Sequence, residues 1–300
     1  MSQRGSGGRA PHQGPPRRSF LDTFLAPRPS QSPFPTLRSS LARGMVTTLS
    51  TPALVVGVPV VVLLAWLALV AAGFQGPFAI MVNALAIPPL GTLGDVTLTS
   101  SVFGAGSALV AITIIVVVRS ILLALIVAAA ADAMRLGSTS RWTLARALRV
   151  APTSFAVNML AILLLLMLQI LVAFLGGGVG LLLFVGGMVI GIAWLGFAPV
   201  IAATEGRRLT DTILRSVRAA RISGSGNITL AALYVVPAVA VLLAPGKPGG
   251  LIGVNPSIGA WVLVIVTNLL HVGVTAAFAY RYLAGSSEVP DAPAPRAAKR

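Results

Sequence analysis

No cysteine occurs in the 300 residues, which excludes disulfides, thiolate metal sites and cysteine nucleophiles. Carboxylates are nearly as scarce. Seven Asp and Glu, none inside an expected span, leave little for paired acid–base chemistry or for a hard-metal site, so neither catalysis nor a metal or cofactor is expected. Charged residues make up 10% of the chain against 56% hydrophobic, too little polar surface to cover a soluble globule of this size. The expected solvent is lipid. With so few acids, 22 Lys and Arg give a formal net charge of +15. In a soluble protein that would suggest nucleic acid, but here the bases flank apolar runs and crowd the tails. Membrane lipids with anionic headgroups are the expected partner, at roughly 1 kcal/mol per base close to the surface, and no nucleic-acid partner is expected.

What the sequence has instead is six apolar stretches long enough to cross a bilayer. They run from Ala53 to Ala72, Phe103 to Ala131, Ser154 to Leu175, Val179 to Ala203, Ile228 to Ala244 and Ile258 to Tyr280. Between the first two, the apolar run from Phe78 to Leu90 is interrupted by Asn83, Pro88 and Pro89, and is expected to lie in the interface or re-enter. Of the 22 bases, all but Arg119 and Lys247 fall in segments that would share one compartment. The positive-inside rule then predicts an all-α polytopic protein with six transmembrane helices and both termini cytoplasmic. The expected organisation is a disordered basic tail over 1–50, a six-span domain over 51–284 and a second disordered tail over 285–300, with location in a bacterial plasma membrane.

Two inner segments match at a constant offset of 69. Gly137, Thr143, Leu144, Arg146, Ala147, Leu148, Arg149 and Ala151 align with Gly206, Thr212, Ile213, Arg215, Ser216, Val217, Arg218 and Ala220. The unit of span, basic helix and span is therefore expected twice, as a parallel duplication. On a helix from Leu209 to Ile222, Leu209, Ile213, Val217 and Ala220 share one face, while Arg208, Arg215, Arg218 and Arg221 occupy the other. Such a helix is expected on the inner headgroups. Arg208, Arg215, Arg218 and Arg221, with Arg146 and Arg149 of the first copy, are the candidates to contact lipid headgroups or a partner protein. An anchor obeying the positive-inside rule is the simpler account of the same residues.

Glu205-Gly206 at the end of a span, Arg215-Ser216 on the amphipathic helix, and the exit of the last span as Tyr280-Arg281-Tyr282-Leu283 resemble a bacterial family. It is the six-span membrane domain fused to some glycerophosphoryl diester phosphodiesterases and found more often alone. The resemblance covers roughly residues 130 to 285. It implies six helices and nothing about activity, since the membrane portion of that family has no established catalytic role, and the soluble phosphodiesterase barrel of the fused proteins is not expected here.

Arg119 lies within an apolar run. The offset of 69 aligns it with Met188, well inside the fourth span. A central Arg costs about 2.5 to 3.5 kcal/mol on insertion scales, so it either faces the bundle with a partner or snorkels toward the inner headgroups on a tilted helix. On the sixth span Asn268, His271 and Thr275 fall on one face, and Asn158 and Gln169 share a face of the third. Arg119, Asn268, His271, Thr275, Asn158 and Gln169 are the candidate ligand-binding residues. Were Arg119, His271 and Asn268 to converge, they could hold the phosphate or carboxylate of an amphiphile. Interhelical hydrogen bonding at about 0.6 kcal/mol per pair is the competing account. Gly176, Gly180, Gly187 and Gly191 form a stripe on the fourth span, expected to pack against another helix. The expected function is binding or transport of a lipid-like or amphiphilic molecule. The alternative is a membrane scaffold or regulatory subunit that holds a partner protein or a second copy of the chain.

Overall fold

The computed structural model describes residues 34–61, 64, 113, 116–175, 177–243 and 258–289, all within the unit Ser32–Arg300. The run from Phe78 to Leu90 expected in the interface, most of the expected first span, the start of the second apolar run, Gly176, Lys247 and the outer parts of both expected tails lie outside these residues. The described elements are helical. They comprise α1 (Leu37–Ser50), a π-helical turn (Ala53–Gly57), α2 (Val116–Leu136), α3 (Arg141–Leu175), α4 (Gly177–Leu195), α5 (Ala198–Glu205), α6 (Leu209–Ile222), α7 (Ser225–Leu243), α8 (Ile258–Gly285) and a closing 3-10 turn (Ser286–Glu288). Three helices are long and apolar enough to cross a membrane, or four if the bent pair Leu37–Ser50 and Ala53–Val61 is one span. Such helices are those expected of a membrane protein.

α1 corrects the expectation of a disordered tail through residue 50. Thr36 caps it, its Oγ1 accepting from the Ser39 N–H at 3.3 Å. The buried face of α1 is Ser40, Gly44, Thr47 and Thr48, which lets its backbone approach α8 closely. A Cβ on Gly44 would meet the Gly273 carbonyl and lie 2.7 Å from the Ala277 nitrogen. Pro52 then ends the helix. The residue before a proline is pushed toward extended backbone, Thr51 sits at φ −106° and ψ 106°, and the chain bends by 79°.

α2 is central, with 72% of its most apolar window buried, against 39% for α3. At 35 residues, α3 is roughly 52 Å long, more than a bilayer needs. The first basic segment is therefore the opening of the same helix as the span, not a separate helix, and the helix continues through Pro152. α3 and α4 pack as a hairpin in which α3 leucines fill the glycine stripe. Leu168 lies under Gly187, where a Cβ would be 2.7 Å away, Leu164 lies under Gly191 and Val172 under Gly180. The stripe is a packing surface, as its spacing suggests.

The expected fourth span is present as Gly178–Glu205, with a turn at Gly196 and Phe197 between α4 and α5. Gly196 abuts the Phe278 ring, and Phe197 enters an aromatic cluster with Phe34, Phe278 and Tyr282 at centroid separations of 5.4 to 5.8 Å. Helix ends leave carbonyls without intrahelical partners, and two polar side chains serve those of α4. Asn227 Nδ2 donates to the Ala193 carbonyl at 2.6 Å, and Ser216 Oγ to that of Trp194 at 2.5 Å. These bonds fix α6 and α7 against α4.

Candidate functional site

Two polar constellations are built from residues far apart in sequence, one among the apolar helices and one where the basic residues gather. The first centres on Arg119 of α2. It is 1% exposed, so it turns into the bundle instead of snorkelling outward. Tyr234 of α7 and His271 of α8 lie within electrostatic reach of it. The Tyr234 and His271 rings lie 4.3 Å apart at 33°, and His271 Nε2 lies 3.3 Å from the Tyr234 carbonyl oxygen. Both residues are buried, and neither Tyr234 Oη nor His271 Nδ1 has a hydrogen-bond partner among the described residues.

Arg119, His271 and Tyr234 thus lie within electrostatic reach of one another. Tyr234 was missed because a lone tyrosine in an apolar run resembles ordinary packing. Thr275 is buried one turn from His271 and spends its hydroxyl on the His271 carbonyl at 2.9 Å. Asn158 pairs elsewhere, its Nδ2 donating at 2.9 Å to Ser120 Oγ, which in turn donates to the Val116 carbonyl. Asn158 Oδ1 and Ser154 Oγ, one turn apart on α3, are buried without partners among the described residues. The side chains of Asn268 and Gln169 lie outside the described residues.

The second constellation corrects the expected role of Arg215. The buried face of α6 is Thr212, Arg215, Ser216, Ala219 and Ala220, whereas Leu209 and Leu214 are exposed. Arg215 therefore points into the protein. Its Nε donates to Tyr282 Oη at 2.7 Å and to Glu205 at 3.2 Å, and its Nη atoms reach the carbonyls of Val289 at 2.9 Å and Ser286 at 3.2 Å. Tyr282 Oη donates to Glu205, and Arg207 pairs with the same carboxylate. Burial, with the Glu205 carboxylate adding to it, holds the Tyr282 phenol well above its usual range. A charged guanidinium can be buried when each of its nitrogens is answered in this way. Beside it, Arg281 donates to the carbonyls of Pro35 and, at 2.8 Å, Ser223, and Phe34 lies against its guanidinium.

Arg146 is likewise bound to protein, its partner being Asp132, which also accepts from Thr143 Oγ1 at 2.7 Å. Asp132 is 1% exposed inside α2, so an acidic residue does sit within an apolar helix. Arg149 and Arg208 are exposed, and Arg218 and Arg221 half-buried. Among the described residues no group of three or more His, Asp and Glu could hold a metal ion.

No known protein family, curated protein or solved structure matches the chain.

Proposed function

We propose that the chain is a six-span bacterial plasma-membrane protein with both termini inside, that it binds or moves a lipid-like or amphiphilic molecule, and that it has no catalytic activity of its own. The observation that carries the reading is the burial of Arg119 beside Tyr234 and His271, three polar groups from three helices. Polar groups deep among apolar helices are costly, and they gather where function needs them. Mass spectrometry of the protein extracted gently from its own membrane tests this. An amphiphile retained by the wild type and lost in Arg119→Gln is expected. Equal retention in Arg119→Gln would remove the site from the account.

The proposed duplication draws support from two glycines. Gly137 and Gly206, 69 residues apart, both adopt left-handed backbone, at φ 75° and 64°. Their N–H groups close the same bond, to the carbonyls of Ala133 and Ala202, which are themselves 69 apart. The aligned Arg119 and Met188 are both buried.

The scaffold reading has an observation of its own. The opening of α3 exposes Trp142, Leu144 and Leu148 beside Arg149, a mixed apolar and basic surface suited to headgroups or to a partner helix. Its test uses Arg149→Gln and Arg208→Gln, because Arg215 is committed to the fold. Loss of a co-purifying protein in that double variant, with the amphiphile unchanged or absent, favours the scaffold.

A further inference from the structure

The opening of α3 belongs to the same helix as the span behind it, and one exposed apolar stripe runs through both. Leu144, Leu148, Phe155, Met159 and Leu163 recur at intervals of four and seven residues, the repeat of one helix face. They are 37% to 59% exposed, and Pro152 is exposed on the same line. Thr143, Ala147 and Val150, on the opposite side, are buried. Phe155, Met159 and Leu163 lie within the expected third span, where an exposed apolar side chain faces lipid. The stripe carries that lipid-facing surface, without a change of face, into the basic opening.

The charge on the opening is of one sign. Arg141 and Arg149 are exposed on it, and the Arg141 guanidinium lies 5.3 Å over the ring of Trp142, which is 66% exposed. The face itself carries no carboxylate. Asp132, the nearest acid in the chain, is buried and bound to Arg146 and Thr143. At the aligned positions 69 residues on, Asp211 stands in place of Trp142, and Ile213 and Val217, in place of Leu144 and Leu148, are half-buried.

We infer that the opening of α3 docks on an anionic lipid surface, with Trp142, Leu144 and Leu148 in the headgroup layer and Arg141 and Arg149 on lipid phosphates. This rests on the reading of the chain as a membrane protein and is independent of the Arg119 site. Helix length agrees with it. The 35 residues of α3 exceed the hydrocarbon core, but their roughly 52 Å fit the ~40 to 45 Å of a bilayer with its headgroups at a tilt of about 35°, within the range of spanning helices. Tryptophan suits that level because its ring is apolar and its N–H polar, and arginine reaches phosphate from the same depth. A second copy of the chain is a poor occupant, since two such faces repel each other.

The test places the full chain in vesicles of phosphatidylcholine, alone or mixed equally with phosphatidylglycerol, and keeps one tryptophan at a time by replacing the others with phenylalanine. Fluorescence quenching by a fixed fraction of phosphatidylcholine brominated high on its acyl chains reports contact with lipid. Quenching by aqueous acrylamide reports contact with water. Trp142 is expected to be quenched by the bromolipid and shielded from acrylamide, more so with phosphatidylglycerol present. Arg141→Gln with Arg149→Gln is expected to remove the phosphatidylglycerol effect, lowering the ratio of docked to undocked protein by about tenfold. Leu144→Gln with Leu148→Gln should lower bromolipid quenching in both vesicles. Trp194, 43% exposed on α4, is the reference for the span.

Quenching of Trp142 by acrylamide and not by bromolipid, with Trp194 quenched by bromolipid, would overturn the docking and keep the membrane reading. Protection of Trp142 from both quenchers would overturn it in favour of a covering of protein. Equal bromolipid quenching with and without phosphatidylglycerol, unchanged in the arginine double variant, would overturn the requirement for anionic lipid. Bromolipid quenching of neither tryptophan would sink the membrane reading itself.

Discussion

Residues that sequence alone would set on the surface carry the interior. Arg215 links α6, α5 and α8 to the turn after α8 through a guanidinium whose every nitrogen finds an acceptor. Removing one member of a buried charged network leaves the others unanswered, at about 3 to 5 kcal/mol. Arg215→Ala is accordingly expected to lower the thermal midpoint steeply in detergent. Arg215→Lys should fail to rescue it, since one ammonium cannot span Glu205, Tyr282 and two carbonyls. Recovery of wild-type stability by the lysine would contradict the network. Gly44 gives a second, independent expectation. Its missing side chain faces backbone atoms of α8, whereas a Cβ on Gly273 would meet only the flexible end of Met45. Gly44→Ala is expected to destabilise by about 1 to 3 kcal/mol and Gly273→Ala by less. A thermal ranking in the opposite order would show that α1 does not pack as described.

At the scale of elements, the long apolar helices were legible because bilayer length and apolarity impose an unmistakable pattern. The glycine stripe of α4 was legible for a related reason, since small residues at helical spacing have few other uses. α1 was not. Its contact with α8 uses Ser40, Gly44, Thr47 and Thr48, which read as polar, and its Arg38 and Arg43 resemble tail. On α6 Arg215 was misplaced because amphipathicity assumes that arginine seeks water, and the partners that bring it inside come from α5, α8 and the turn beyond it. Of the candidate ligand residues, Arg119 and His271 were found by their rarity in an apolar context, while Tyr234 needed the fold. The paired caps between α2 and α3 and between α5 and α6 make an element-scale prediction. Gly137→Ala and Gly206→Ala should each cost about 1 kcal/mol, because a Cβ strains left-handed backbone. The two thermal shifts should agree. An effect at one glycine and none at the other would argue that the two caps are not equivalent, and would weaken the duplication.

For the whole molecule, the missing cysteines become an advantage, because any thiol introduced is a unique reporter. Arg149 and Arg208 are exposed, and between them the chain runs out along α3 and returns through α4 and α5. An even number of crossings separates them if this hairpin spans the bilayer. Arg149→Cys and Arg208→Cys are therefore expected to react with a membrane-impermeant maleimide from the same side, and Lys247→Cys from the other. The positive-inside rule assigns the first pair to the cytoplasm, so they should label only after the cells are opened, whereas position 247 labels in intact cells. Labelling of 149 and 208 from opposite faces would break the hairpin out of the membrane. Reaction of both in intact cells would invert the topology and put the Arg215 and Arg281 network outside. Arg119 would still lie among the apolar helices, so the ligand site would survive that result and the direction from which it loads would reverse.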